Sequence, residues 1–162
     1  MTNLKLLSGK DWVCWKQLRL SALKDSPTSF ASSYEEESGC QDKKFQEDLV
    51  KNNVFGAFVE GDLVACAGFY SLSPLKVKHR GILWGMYTKP EYRSQGIANS
   101  LIEAIVFHAK NYVIQLHVSC ITTNLNAIKL YQKHGFKIYG TEPNSLKIGD
   151  HFFDEHLMVL TF

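Results

Sequence analysis

The stretch from residue 82 to residue 118 constrains the fold more tightly than any other part of the chain. It begins with an apolar, β-prone run, ILWGMYT, and Pro90 stops it, because proline has no N–H to give to a sheet ladder. A short polar segment, EYRSQG, then opens directly into IANSLIEAIVFHAK, where Leu101, Ile105 and Ala109 recur at the spacing of one helix face. A second strand, YVIQLHVSC, closes the unit. Ile114, Leu116 and Val118 fall on one of its faces, and Gln115, His117 and Ser119 on the other. Strand, helix and strand in that order permit a parallel pair, which leaves the helix N-terminus at the carboxyl end of the first strand.

That N-terminus is chemically unlike the rest of the unit. The first turn of a helix has unpaired N–H groups and about half a positive charge from its aligned peptide dipoles. Arg93 adds a cation, Gly96 lacks the Cβ that keeps an anion off the backbone, and Ala98 is nearly as small. A pyrophosphate suits such a place. The same residues also make a plain strand-to-helix turn that needs glycine for its geometry. Neither G-x-x-x-x-G-K-S/T nor a G-x-G-x-x-G after a strand occurs, so the two familiar phosphate loops are absent.

Elsewhere the patterns describe ordinary elements. LKLLSG reads as a first strand and DWVCWKQLRLSALKDSP as a helix. Asp11 is its expected N-cap, Trp12, Trp15, Leu18 and Ala22 its inner face, and Pro27 its stop. A loop holding Glu35, Glu36 and Glu37 leads to a second helix that buries Phe45, Leu49 and Val50. Two apolar runs around Glu60-Gly61-Asp62 predict a hairpin. NLNAIKLYQKHGF predicts a last helix capped by Gly135, and KIYGTEP and FFDEHLMVLTF two closing strands. The expected order is β-α-α-β-β-β-α-β-α-β-β, one domain over residues 1–162. It is an α/β (α+β) chain with a mixed, mostly antiparallel sheet of six to seven strands and helices on both faces.

Composition narrows the partners. The formal net charge is +2 and no block of Lys and Arg is concentrated anywhere, so no nucleic-acid partner is expected. Cys14, Cys40, Cys66 and Cys120 have no C-x-x-C spacing and no clustered histidines; reduced thiols and no metal are expected. No apolar run reaches membrane length, and MTNLKLLSGKDW lacks the apolar core of a signal peptide. The expectation is a cytoplasmic protein with no membrane partner.

Two segments taken together go further. YTKPEYRSQGIANSLIEAI resembles the R/Q-x-x-G-x-G/A loop of the Gcn5-related N-acetyltransferase (GNAT) superfamily, through Arg93, Gly96 and Ala98. NLNAIKLYQKHGF is similar to that family's N-x-x-A-x-x-L-Y-x-x-x-G-F element, through Asn124, Ala127, Leu130, Tyr131, Gly135 and Phe136. The resemblance implies the GNAT fold with splayed central parallel strands. It also implies acetyl-CoA as co-substrate and transfer of its acetyl group to a primary amine by direct attack. The acceptor it implies is a small-molecule amine or a protein N-terminus or lysine, and a homodimer follows by analogy alone. On the same grounds Arg93, Ser94, Gln95, Gly96, Ile97, Ala98 and Asn99 hold the pyrophosphate. Met86, Tyr87 and Thr88 offer backbone groups to the pantetheine arm, although Thr88 stands where the family usually has valine. Asn124 contacts that arm, and Tyr131 protonates the leaving thiolate; a phenol with a reference pKa of about 10 holds its proton at neutral pH.

Attack also needs a neutral amine, and therefore a proton acceptor. The strand GILWGMYT lacks the glutamate that many relatives place there. His117 is the candidate base, because histidine titrates near neutral pH. Glu35, Glu36 and Glu37 are candidates for an acidic rim that attracts a cationic amine. His79, Arg80, Asp154 and Glu155 are further acceptor-side candidates. Trp12, Trp15 and Trp84 are expected in the core, although Trp84 precedes the cofactor strand segment closely enough to border that pocket. A non-catalytic acyl-CoA-binding or sensing module of the same fold is the alternative. The missing glutamate keeps it open, and Tyr131 and Asn124 oppose it.

Overall fold

Alternating apolar residues and amphipathic stretches become strands and helices in nearly the expected order. The computed structural model describes residues 1–162. Its first half comprises β1 (Thr2–Leu6), α1 (Trp12–Asp25), α2 (Tyr34–Ser38), α3 (Asp42–Lys51), β2 (Asn53–Val59), β3 (Asp62–Ser71) and β4 (Arg80–Thr88). Then come α4 (Ile97–Ala109), β5 (Gln115–Ile121), α5 (Leu125–Lys133), β6 (Lys137–Ile148) and β7 (His151–Thr161). The strands form one sheet ordered β1-β2-β3-β4-β5-β7-β6. Only β4 and β5 pair in parallel, the arrangement that the crossover through α4 permits.

Each helix buries one stripe, so the sheet is covered on both faces. α4 sets Leu101, Ile102, Ile105 and Ala109 against Phe69, Leu83 and Leu116, and α5 adds Ile128 and Tyr131. On the other face Trp15, Leu18 and Ala22 of α1 join Phe45 and Leu49 of α3 over Val54, Leu63 and Cys66. Burying one such large apolar side chain stabilises the fold by about 1.5–3 kcal/mol. These two layers hold the sheet's centre rigidly enough for a gap to persist within it.

That gap has two causes. β4 and β5 pair only at Arg80 with Gln115, Gly81 with Leu116 and Ile82 with His117, and they part beyond that point. Just past it, β4 bulges: its register against β3 shifts between Cys66 and Gly68, and Gly85 there adopts φ +64°. Such a bulge bends the strand, and glycine takes the left-handed conformation without strain. The result is a cleft edged by strand backbone.

The structure departs from the sequence pattern at several points. Ser33 and Glu36 form a capping box, each side chain accepting from the other's backbone N–H, so Tyr34–Ser38 is helical where the pattern predicts a loop. Asp11 does not cap α1; its carboxylate accepts from Ser8 N–H at 2.8 Å and from Lys5 Nζ at 2.7 Å, closing a tight turn ahead of the helix. Val50 and Ile114 lie exposed at the ends of their elements, where nothing packs over them. The last hairpin is longer than its apolar pattern suggests, because the polar residues up to Ile148 still pair before the turn at Gly149. All four cysteines are unpaired.

Candidate functional site

Six consecutive main-chain N–H groups, from Ser94 to Asn99, have no acceptor within the protein. The first bond of α4 runs from Ser100 N–H to Gly96 O at 3.1 Å. Ser94 at φ +61° and Gly96 at φ +80° bend this segment, and left-handed residues of that kind make successive amides converge on one point. A Cβ on Gly96 would meet no protein atom within 4 Å. Backbone conformation, rather than crowding by the protein, is what calls for glycine there.

Arg93 is not a free cation. Its Nε donates to Thr88 O at 2.9 Å and its Nη2 to Asp25 Oδ2 at 2.6 Å, so it ties the loop to the end of α1. That bond from Arg93 holds the Asp25 carboxyl below its ordinary pKa. Tyr87 also donates to Asp25, at 3.3 Å, and burial with the nearby Asp25 charge pushes its phenol up to about 12. The cation without an ion-pair partner on this side is Lys133, at the last turn of α5. In sequence it reads only as a helix-end lysine favoured by the dipole.

Met86, Tyr87, Thr88, Ser94 and Gly96 border one half of the cleft, together with Ile97, Ala98, Asn99 and Asn124; this half measures about 600 Å³. Gln95 is not among the residues that border it; its N–H belongs to the unpartnered run, but its side chain turns back to Glu91 O at 3.1 Å. Asn99 Oδ1 accepts from His134 Nε2 at 2.9 Å, fixing the spacing of the two helices that flank the cleft. Asn124 Oδ1 accepts from Ala127 N–H and so caps α5, leaving its amide nitrogen without a protein partner.

The other half, about 490 Å³, meets the first at Ser29, Met86, Asn124 and Ala127 and contains Tyr131. Tyr131 is buried, packs edge-on against Phe136, and has no hydrogen bond from its hydroxyl to the protein. Burial, reinforced by Cys120, pushes its phenol well above the ordinary range, so it stays protonated. Burial likewise pushes the Cys120 thiol up to about 11, which makes it a poor nucleophile at neutral pH.

His117 does not reach this cleft. Its register places it opposite Ile82, where β4 and β5 are still joined. Its Nε2 lies 3.3 Å from both Arg80 Nε and Gln115 Oε1, and Tyr139 packs edge-on against the ring. Burial, then the charges of Arg80 and His79, lower its pKa. Arg80 is thus occupied with His117, and His79 contributes backbone to the start of β5.

Nor do the three glutamates form a rim. Glu36 closes the capping box, Glu35 stays on the exposed face, and Glu37 is buried in a bidentate pair with Arg19, at 2.8 and 3.0 Å. Arg19, between the rings of Phe30 and Trp84, lines the cleft. Sequence reasoning misses this pair, since Arg19 looks like the polar face of α1 and Glu37 like a solvated charge. Asp154 caps the kink in β6 by accepting from Asn144 N–H at 2.8 Å. Glu155, by contrast, lines the cleft beside Cys120, and Trp84 borders it.

Comparison with known proteins gives a consistent picture. The model of the acetyltransferase (GNAT) family matches residues 15–136. The spermine/spermidine N(1)-acetyltransferase of Bacillus subtilis is 31% identical over 91 residues, which are 52% of this chain and 59% of that protein. An acetyltransferase of the GNAT family from Streptococcus pneumoniae superposes with a TM-score of 0.88, covering 100% of both chains at 21% identity. A protein of this fold from Salmonella typhimurium, solved with its cofactor acetyl-CoA, superposes with a TM-score of 0.85 at 13% identity, covering 99% of this chain and 93% of the other. At these identities the two superpositions establish the fold.

Proposed function

Because the chain belongs to the acetyltransferase (GNAT) family, we propose that it is an acetyl-CoA-dependent N-acetyltransferase acting on a primary amine. One observation carries this reading. The run of unpartnered amides at residues 94–99, of which all but Gln95 border the cleft, and the unpartnered hydroxyl of Tyr131 belong to the two joined halves of a single cleft.

The cofactor fits the residues present. Converging N–H groups at a helix N-terminus suit the diphosphate of coenzyme A, and Lys133 adds a cation on the facing helix. Arg93 positions the loop through Asp25 and Thr88. The edge of β4 released by the splay, at Met86, Tyr87 and Thr88, has backbone groups for an extended pantetheine arm, and Asn124 has a free amide on the same side. Bound there, acetyl-CoA supplies an activated acyl carbon at the junction of the two halves. Tyr131 holds a proton at Oη for the departing sulfur, and its buried setting keeps that proton in place at neutral pH.

On the acceptor side, the name of the Bacillus relative favours a small cationic amine over a protein N-terminus or lysine. The reading takes residues 1–162 as one domain of a cytoplasmic protein; no helix of the chain is long and apolar enough to cross a membrane. Colorimetric thiol release from acetyl-CoA over a panel of primary amines tests it, with calorimetric binding of CoA alongside. Turnover of at least one amine is expected. Tight CoA binding with background thiol release for every amine would instead identify a non-catalytic acyl-CoA module.

A further inference from the structure

The half of the cleft that holds Tyr131 contains two charged side chains, and their situations are opposite. Arg19 is buried and its charge is matched by Glu37. Glu155 is half-buried and takes part in none of the chain's ion pairs. Its one hydrogen bond comes from Ser145 Oγ at 2.5 Å, and the same hydroxyl lies 3.3 Å from Glu142 Oε2. A serine hydroxyl has one proton, so it serves one of these carboxylates at a time. Glu142 and Glu155 are also direct partners across β6 and β7, where like charges repel. The protein offers this pair no cation.

Resting on the N-acetyltransferase reading above, we propose that Glu155 receives the ammonium group of the acceptor and takes its proton. Glu142, reached through Ser145, increases the negative potential at that point. Cys120 lies close enough to both Glu155 and Tyr131 to feel or exert charge on each, so an amine nitrogen held at Glu155 shares the half of the cleft that contains the Tyr131 hydroxyl. Phe30, Ile82 and Trp84 give the same half of the cleft apolar wall, an environment in which charge contacts are stronger than in open water.

The proton count closes. The Glu155 carboxylate takes one proton from the ammonium, directly or through one water. The freed lone pair bonds to the acetyl carbonyl carbon, and the carbon–sulfur bond breaks. The thiolate takes the Tyr131 proton, and the new amide nitrogen sheds its second proton to restore the phenol. Glu155 releases its proton to solvent, so each turnover yields one amide, one thiol and one proton.

Glu155→Gln keeps the size and the Ser145 contact while removing the charge. The probe amines are spermidine and 2-phenylethylamine. For whichever of the two the wild type turns over faster, kcat/KM of the variant should fall at least tenfold. Calorimetric binding of spermidine to the CoA-loaded protein should weaken at least tenfold, whereas CoA affinity should stay as in the wild type. Wild-type kcat/KM in the variant, or unchanged spermidine binding, would overturn the assignment of Glu155. A wild type that fails to bind CoA at all would overturn the enzymatic reading first, so the two failures are told apart by the CoA titration.

Discussion

Arg93 Nη2 lies 2.6 Å from Asp25 Oδ2 while Arg93 Nε holds Thr88 O at 2.9 Å, so one guanidinium joins the end of α1, the end of β4 and the loop that precedes α4. Both side chains are partly exposed, and exposed ion pairs contribute about 0–1 kcal/mol to stability. The pair matters through the loop it positions. Asp25→Asn should leave the melting temperature within a few degrees of the wild type and weaken CoA binding about tenfold, a change of about 1.4 kcal/mol in binding free energy. Isothermal titration of CoA checks this; a large loss of melting temperature with unchanged affinity would show the pair to be a fold element instead.

Gly96 separates two effects. Gly96→Ala places a Cβ in open space but forces a side chain into φ +80°, which costs about 1–2 kcal/mol of stability. Gly96→Glu adds a carboxylate where six amides await an anion. Chemical denaturation should show similar losses for both variants, while CoA affinity should be abolished only in Gly96→Glu.

Tyr131→Phe removes the proposed proton donor and little packing. A fall in kcat of roughly 10²–10⁴-fold is expected, with CoA affinity kept. The raised phenol pKa gives a further sign: Tyr131 stays protonated past the usual phenol range, so loss of the acid cannot produce a basic limb in wild-type kcat below a pH of about 10. Steady-state kinetics between neutral pH and that limit will show whether one appears.

The Arg19–Glu37 pair is a stability element with a pH signature. Burial pulls the Glu37 carboxyl up, but the bonds and charge of Arg19 outweigh it and leave the pKa below 4.5. The unfolded chain therefore binds protons more readily, and this contribution is present above pH 4.5 and lost as pH falls through the lower folded value. Removing one partner strands the other in a buried site, so Glu37→Gln should cost about 3–5 kcal/mol. Urea unfolding at neutral pH and near pH 4 tests both statements: the difference between wild type and variant should narrow in acid.

Much of this protein was legible in its residues because the signals are local. Leu101, Ile105 and Ala109 mark the buried face of α4 by spacing alone, and Gly96 with the polar loop before it marks a helix start able to hold an anion. Gly135, at φ +90°, ends α5 as a glycine after an apolar helix should. What the sequence could not settle was which side chains meet. Parity put His117 on the face of β5 opposite Leu116 and Val118, but only the pairing of β4 with β5 decided that it sits below the point where the strands part. Three adjacent glutamates look alike as text, yet Arg19, 18 residues from Glu37, buries one of them. Glu155 became the unpaired charge of the cleft because β5 and β7 pair and because its cross-strand partner is another carboxylate. Periodicity and turn chemistry act over a few residues and are written in the chain; charge pairing and register join residues far apart along it, and the folded sheet alone brings them within reach.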